Sequence, residues 1–158
     1  MEIRRFEDRD AGEVSAVVGR SLREVNIRDY PAEEVEALAQ EYSGEEIRRI
    51  AAQAHMYVAR DGDRIVGTGS IGSYEGSREE SILLTIFVLP EYMGQGIGKK
   101  IIQALEGDEY FLRASRVVIS SSITACTFYE KMGYGYKDGV KVLEEEDHYW
   151  MEKLRTPR

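Results

Sequence analysis

Cysteine is almost absent from this sequence, and so are long apolar runs. The 158 residues include one cysteine, Cys126, so no internal disulfide can form and no cysteine–histidine cluster has zinc spacing. No stretch approaches the roughly 18 consecutive apolar residues of a membrane-spanning helix, and the first residues hold no apolar signal-peptide core. We therefore expect no metal, no membrane partner and a reducing, cytoplasmic location.

Positive charge is scarce as well. The chain has 21 Lys and Arg against 29 Asp and Glu, which gives a formal net charge of −8. An acidic protein repels the phosphates of nucleic acids, so we expect no nucleic-acid partner. It also repels an anionic cofactor at long range. Any phosphate site must therefore depend on local N–H donors and local lysines.

The remaining composition is that of an ordinary globular protein. Hydrophobic residues make up 42% and charged residues 32%, and the length predicts one domain, which we take as residues 1–158. Periodicity predicts a mixed α/β (α+β) chain, in which three helices follow the first strand and a helix of residues 124–132 precedes the last two strands. The predicted strands are 3–6, 56–60, 64–71, 81–88, 116–120, 134–142 and 148–154.

Two of these strands have unusual sequences. Residues 81–88 are apolar on both faces, which predicts a central strand that is covered on both sides. Gly67 and Gly69 weaken the preceding strand, and they indicate a bulge or a close backbone approach.

A glycine-rich turn follows the central strand. Residues 88–90 read Val-Leu-Pro, and residues 94–98 read Gly-Gln-Gly-Ile-Gly before Lys99 and Lys100. The first N–H groups of a helix are unpaired and carry partial positive charge, so they can receive a pyrophosphate. Alternating glycines remove blocking Cβ atoms and permit positive φ angles. A tight turn without a ligand is the alternative, although three glycines are a costly way to open a helix.

Spacing separates this turn from two nucleotide-binding motifs. A Walker A loop needs four residues between its glycines and a Ser or Thr after its lysine, whereas three residues separate Gly94 from Gly98 and Lys100 follows Lys99. A dinucleotide fingerprint needs a third glycine where Lys99 stands. Both nucleotide interpretations therefore fail.

The turn is similar to the acyl-coenzyme-A loop of GNAT acetyltransferases, which reads Gln/Arg-x-x-Gly-x-Gly/Ala after a Val-x-Pro strand end. Gly96 and Gly98 match its glycines, and Met93 departs from the usual Gln or Arg. Residues 121–134 resemble the second motif of these enzymes, Asn-x-x-Ala-x-x-x-Tyr-(Glu/Lys)-x-x-Gly-Phe/Tyr. Ser122 replaces its Asn, and the matching positions are Ala125, Tyr129, Gly133 and Tyr134. The chain thus resembles a GNAT superfamily N-acetyltransferase over nearly its full length.

The resemblance implies a mixed, mostly antiparallel central sheet with a splayed strand pair, flanked by helices, and acetyl-CoA as co-substrate. The pantetheine arm would lie in the gap and pair with the edge of the fourth strand. Ser122 and Thr124 would reach the cofactor from the facing helix. The implied cofactor-binding residues are Ile86, Phe87, Val88, Met93, Gly94, Gln95, Gly96, Ile97, Gly98, Lys99, Ser122, Thr124 and Tyr129.

The implied chemistry is direct attack of an amine on the thioester in a ternary complex. The resemblance makes Tyr129 the acid that protonates the leaving thiolate, with a core aromatic as the alternative, and makes the Val88 N–H the oxyanion donor. No base can be assigned, because the fourth strand offers only Glu79 and Glu80 at its start and both histidines are expected to be structural. Some members of the superfamily use a water chain instead.

The acceptor is expected between the first two helices. Asn26, Arg28, Asp29 and Tyr30 form a polar cluster there that could hold an ammonium group, or simply a helix–helix turn capped by Asp29. The acceptor class is a primary amine of a small molecule or peptide. A non-catalytic acyl-CoA-binding regulatory module is the rival function, and the oligomeric state stays open, although such domains often form homodimers.

Overall fold

The computed structural model describes residues 1–158, which form one seven-stranded sheet in the order β1-β2-β3-β4-β5-β7-β6. Every neighbouring pair is antiparallel except β4 and β5. The strands are β1 (Glu2–Arg5), β2 (His55–Asp61), β3 (Arg64–Ser73), β4 (Glu80–Val88), β5 (Arg116–Ser122), β6 (Gly135–Tyr136) and β7 (His148–Leu154). The helices are α1 (Ala11–Glu24), α2 (Ala32–Glu41), α3 (Gly44–Gln53), α4 (Ile97–Glu106), α5 (Glu109–Leu112) and α6 (Cys126–Lys131).

Helices cover the two faces of the sheet. On one face lies α1, whose buried residues Val14, Val18 and Leu22 recur at helical spacing, together with α2 and α3. The Ser43 side chain begins α3 by accepting the Glu46 N–H at 3.3 Å. On the other face lies α4. None of the helices has the length and apolar character needed to cross a membrane.

The glycines of β3 confirm the predicted bulge, but the element that approaches them most closely is a side chain of α4 rather than backbone. A Cβ atom added at Gly69 would lie 2.5 Å from Ile101 Cγ2, and one at Gly67 would lie 2.9 Å from Ile101 Cδ1. A side chain at Gly69 would clash with Ile101, so the glycine lets α4 pack directly on this part of the sheet. The β2–β3 register also shifts between Ala59 and Arg60, which marks a bulge.

The β4–β5 pair opens part-way along its length. Its parallel register covers only Glu80–Ile82 against Arg116–Val118. β4 is central, as predicted, but Ile86, Phe87 and Val88 are only partly buried. The expectation that both faces of β4 are covered is wrong for one face, because Ile82 and Leu84 are likewise only partly buried, whereas Leu83 on the other face is buried. Beyond Ile82 the neighbouring strand is no longer paired, which leaves a gap.

Two predicted boundaries near the C-terminus are also wrong. The strand predicted over 134–142 is only Gly135–Tyr136, because Asp138 and Gly139 take left-handed φ angles of 56° and 73° that break the extended chain. The helix predicted from Thr124 begins at Cys126. The four-residue helix α5 was not predicted.

Candidate active site

A β-bulge shapes the open end of the gap. Thr68 pairs with Phe87 and Ser70 with Leu84, so β4 has one more residue than β3 between these pairs. Within the bulge, Thr85 has a φ of 48°, which is rare for a β-branched residue. Its hydroxyl lies 2.7 Å from the buried Ser70 hydroxyl. This hydrogen bond ties the bulge to β3, and residues 86–88 follow it along the gap.

The glycine-rich turn comes next and leads into α4. The Leu89 N–H donates to the Val66 carbonyl at 2.8 Å, which anchors the start of the turn. Gly94 and Gly96 have φ angles of 77° and 81°, and Cβ atoms added to them would meet nothing within 4 Å. Glycine is needed at these two positions for the backbone conformation, since any other residue in the left-handed φ/ψ region costs about 1–2 kcal/mol. No side chain caps α4, so its first N–H groups stay available for an anion.

Gly98 has a different role, which joins the two sequence motifs. A Cβ atom added there would lie 3.1 Å from Phe128 Cζ, so glycine lets the ring of α6 pack on the first turn of α4. Because Phe128 belongs to the second motif, segments about thirty residues apart in the chain meet beside the gap.

Tyr129 lies next to this contact. It is 4% exposed and packs edge-on against Phe128 and Tyr134, at centroid distances of 5.2 and 6.3 Å. Burial raises the pKa of Tyr129 above its usual range, and its hydroxyl makes no hydrogen bond within the protein. Tyr134, in contrast, donates to Glu106 at 2.9 Å. Of this tyrosine pair, only Tyr129 keeps a free, protonated hydroxyl.

Ser122 and Thr124 do not lie on a helix, which corrects the expectation. Ser122 is the last residue of β5, and its hydroxyl accepts the Ala125 N–H at 3.1 Å, which closes a turn and delays the start of α6. Thr124 lies in that turn. Its buried hydroxyl has no hydrogen-bond partner. An unpaired buried hydroxyl is unfavourable, and it suits a group that contacts a ligand.

A cavity of about 390 Å³ lies between α1, α2, the end of β5 and the start of β7. Asn26 and Tyr30 line it, as does Ser122. Asp29 is exposed and is not among the lining residues, because its backbone closes a 3-10 turn onto Asn26. The structure therefore corrects the placement of Asp29. The full lining is Leu22, Asn26, Tyr30, Glu34, Val35, Ala37, Leu38, Glu41, Ser122, Glu146 and His148.

Sequence reasoning missed the charged groups of this cavity. Glu34, Glu41 and Glu146 line it, and no Lys or Arg does. Glu34 and Glu41 are seven residues apart on α2 and so share a helix face, which was an available signal. Glu146 lies in the acidic run 144–147, which reads as an ordinary solvated turn. His148 was expected to be structural, yet it also lines the cavity.

The other titratable candidates lie elsewhere or are engaged. Glu80 pairs with Arg116 at 2.8 Å at the closed end of β4. The His55 ring bonds the buried Asp108 carboxylate at 2.9 Å. Cys126 is buried and its Sγ donates to the Ile123 carbonyl at 3.4 Å, as expected for a packing residue.

The family follows from a comparison with known domains. Residues 26–154 match the model of the acetyltransferase (GNAT) domain. The chain belongs to the GNAT acetyltransferase family. The resemblance and the fold predicted for this GNAT protein are thereby confirmed.

Relatives and solved structures agree with this assignment. An uncharacterized acetyltransferase of Streptococcus pyogenes serotype M1 is 37% identical over 93 residues, which are 58% of this chain and 62% of that relative. A GCN5-related N-acetyltransferase from Rhodopseudomonas palustris has a TM-score of 0.80 at 22% identity, with 98% and 95% of the two chains covered. The PaiA N-acetyltransferase from Thermoplasma acidophilum, in complex with coenzyme A, has a TM-score of 0.77 at 20% identity, with 98% of each chain covered.

Proposed function

We propose that this GNAT protein is an N-acetyltransferase that moves the acetyl group of acetyl-CoA to a primary amine of a small molecule or peptide. Residues 1–158 act as one domain, and the amine attacks the thioester directly in a ternary complex. One observation carries the proposal: Ser122 ends the strand that borders the gap and also lines the acidic cavity. An activated acyl group in the gap and an ammonium group in the cavity would therefore be neighbours.

The residues around the gap fit coenzyme A. The free N–H groups at the start of α4 and the open turn of Gly94 and Gly96 suit a pyrophosphate, and the unpaired Thr124 hydroxyl offers one more contact. The unpartnered edge of β4 offers backbone groups to the pantetheine amides. The coenzyme A bound by the Thermoplasma neighbour supports the same ligand class. Bound acetyl-CoA supplies the thioester.

The protein groups then have separate tasks. The Val88 N–H stabilises the oxyanion of the attacked carbonyl. Tyr129 keeps its proton because its pKa is raised by burial, and it gives a hydrogen bond or the proton to the departing sulfur. A protonated hydroxyl without a protein partner favours this enzyme over a module that only binds acyl-CoA.

The charge of the cavity defines the acceptor class. Three carboxylates line it and no Lys or Arg does, so a second positive charge on the acceptor stabilises binding. Thiol release from acetyl-CoA should be most efficient with the dication 1,4-diaminobutane, lower with butylamine and lowest with 4-aminobutyrate. Equal kcat/KM for the diamine and the amino acid would contradict this assignment.

A matched pair of variants sharpens the experiment. Glu41→Gln removes one charge of the cavity, and it should raise KM for 1,4-diaminobutane about two- to fivefold at low salt, in line with about 0.2–1 kcal/mol for an exposed ion pair. Glu33→Gln removes a charge of α2 that does not line the cavity, and it should leave KM unchanged. If both variants change KM equally, the effect comes from net charge alone.

A further inference from the structure

The start of β7 places an imidazole in the acceptor cavity. His148 pairs in register with Ser122, so the two residues are cross-strand neighbours at the end of β5 that borders the gap. Both side chains line the cavity, and His148 is partly buried. The other histidine of the chain, His55, is held by Asp108 and does not line the cavity.

The hydrogen bonds of His148 leave one nitrogen free. Nδ1 lies 2.7 Å from the Glu146 carbonyl oxygen. Because a carbonyl oxygen only accepts, Nδ1 carries the proton in the neutral ring, and Nε2 then carries the lone pair. Nε2 has no partner within the protein. This is the tautomer that a proton acceptor needs.

The loop before His148 holds the ring in place. Glu146 and Asp147 both have left-handed φ angles, of 59° and 55°, which are uncommon for residues other than glycine. Tyr30 stabilises this arrangement: its hydroxyl donates to the Asp147 carbonyl at 2.8 Å and accepts the Ile123 N–H at 2.7 Å. Its ring also stacks on His148 at a centroid distance of 5.9 Å. Strained backbone that the surroundings hold in this way is typical of functional sites.

We propose that His148 is the general base of the acetyl transfer and that Tyr30 is its positioning residue; this inference rests on the proposed function. His148 Nε2 takes a proton from the acceptor ammonium, directly or through one water. The carboxylate residues that line the same cavity as His148 are Glu34 and Glu41 from α2 and Glu146 from the loop, while the Asp147 side chain is exposed. No Lys or Arg lines the cavity to oppose protonation of the ring.

The proton balance is complete without a further reactant. Acetylation forms one N–C bond and breaks one C–S bond. The ammonium loses one proton to His148, which passes it to solvent. The attacking nitrogen loses a second proton as the C–S bond breaks. Tyr129 gives its proton to the sulfur and regains one from the nitrogen, so the thiol and the tyrosine both end protonated. One proton is therefore released for each acetyl group transferred.

The test is the pH profile of kcat/KM with acetyl-CoA and 1,4-diaminobutane. The wild-type kcat/KM should rise with pH to a plateau, because the base must be deprotonated to act, and this rise is the acidic limb of the profile. His148→Gln should lose this limb and about a hundredfold of the rate, while its affinity for coenzyme A is kept. His55→Gln is the matched control and should keep the limb. An unchanged limb in His148→Gln overturns the proposal.

Two further measurements separate a catalytic from a structural role. Added imidazole should partly restore the rate of His148→Ala and not that of Tyr129→Phe; no rescue argues against a base. Tyr30→Phe keeps the stacked ring and loses both hydrogen bonds, so the limb should stay while the rate falls about tenfold. Tyr149→Phe, one residue beyond His148, should behave like the wild type.

A readout without turnover keeps this inference distinct from the proposed function. In nitrogen-15-labelled protein, the neutral His148 ring should be protonated at Nδ1, and the Tyr30→Phe variant should show a mixture of tautomers. A neutral ring protonated at Nε2 overturns the assignment of the base. Failure of the wild type to acetylate any amine, with the expected tautomer present, would instead refute the proposed function.

Discussion

The two ends of the β4–β5 pair differ in a way that explains the site. At the closed end, Arg116 donates to Glu80 on β4 and to Glu152 on β7, both at 2.8 Å, and the strands run in parallel register. At the open end the register is lost, Thr85 forms the bulge, and β5 ends in a turn. The same two strands are therefore firmly paired at one end and leave an unpaired strand edge at the other.

The difference teaches what is needed to keep two strands apart. An unpaired strand edge ordinarily invites another strand, because its N–H and C=O groups lack partners. Here a hydrogen bond between the Thr85 and Ser70 hydroxyls fixes the bulge to β3. The Phe128 ring of the second motif packs on Gly98 of the glycine-rich turn. Side chains therefore hold the gap at the open end, while ordinary sheet pairing holds the closed end. Substitutions at the two ends should have different effects.

The largest effect is expected from Gly96→Leu. A leucine at this φ of 81° costs about 1–2 kcal/mol, and its side chain covers the N–H groups that we assign to the pyrophosphate. Affinity for coenzyme A, measured by calorimetry, should fall at least about a hundredfold while the fold survives.

Gly62→Leu provides the control for backbone strain. Gly62 has a φ of 61° in the β2–β3 turn, and a Cβ atom added there also meets nothing within 4 Å. The Gly62→Leu variant should lose as much thermal stability as Gly96→Leu, but it should keep the wild-type affinity for coenzyme A. Equal losses of affinity in the two variants would show that the loop has no special role.

Tyr129→Phe should have the next largest effect. Removing the hydroxyl leaves the leaving sulfur without its proton donor, so kcat should fall about a hundredfold while coenzyme A affinity changes little. Steady-state kinetics and calorimetry separate the two quantities. Tyr110→Phe, whose ring packs against His55, is the control. A normal rate in Tyr129→Phe would return Tyr129 to the role of a core aromatic and strengthen the case for a binding module.

Local chemistry explains why the sequence revealed the open end so well. The left-handed backbone angles of the turn require Gly94 and Gly96, and the ring of Phe128 in the second motif packs on Gly98 in the first. Each motif is therefore visible as a short pattern of residues in the sequence. The bulge left only the weak signal of Gly69 on the facing strand, because Thr85 itself is an ordinary strand residue by composition. The cavity left almost none, since its walls come from α1, α2, β5 and β7. The strand predicted to Val142 failed because alternating Tyr and Val residues outweighed Asp138 and Gly139.

Ser70→Ala tests whether the bulge is held by its hydrogen bond. The variant leaves the Thr85 hydroxyl buried without a partner, which costs about 1–3 kcal/mol, and it loosens the backbone that leads to Val88. We expect kcat to fall about tenfold. Thr68→Val is the matched control, because Thr68 is equally buried on the same strand and donates to the Tyr57 carbonyl at 3.0 Å. If the control loses as much activity at equal stability, the bulge has no separate role.

The smallest effect is expected at the closed end. Arg116→Gln removes two partly exposed ion pairs, so the free energy of unfolding should fall by about 1 kcal/mol or less, as measured with urea. Activity and coenzyme A affinity should stay at wild-type values. A loss of affinity as large as that of Ser70→Ala would mean that the two ends are not independent.

Amide hydrogen exchange with and without acetyl-CoA tests the central claim most directly. The amides of Val88 and of residues 94–98 should exchange more slowly when acetyl-CoA is bound, because the unpaired edge and the start of α4 gain partners. The amides of residues 80–82, already paired with β5, should be unaffected. Slower exchange at the closed end, or none at the open end despite binding, would contradict the account.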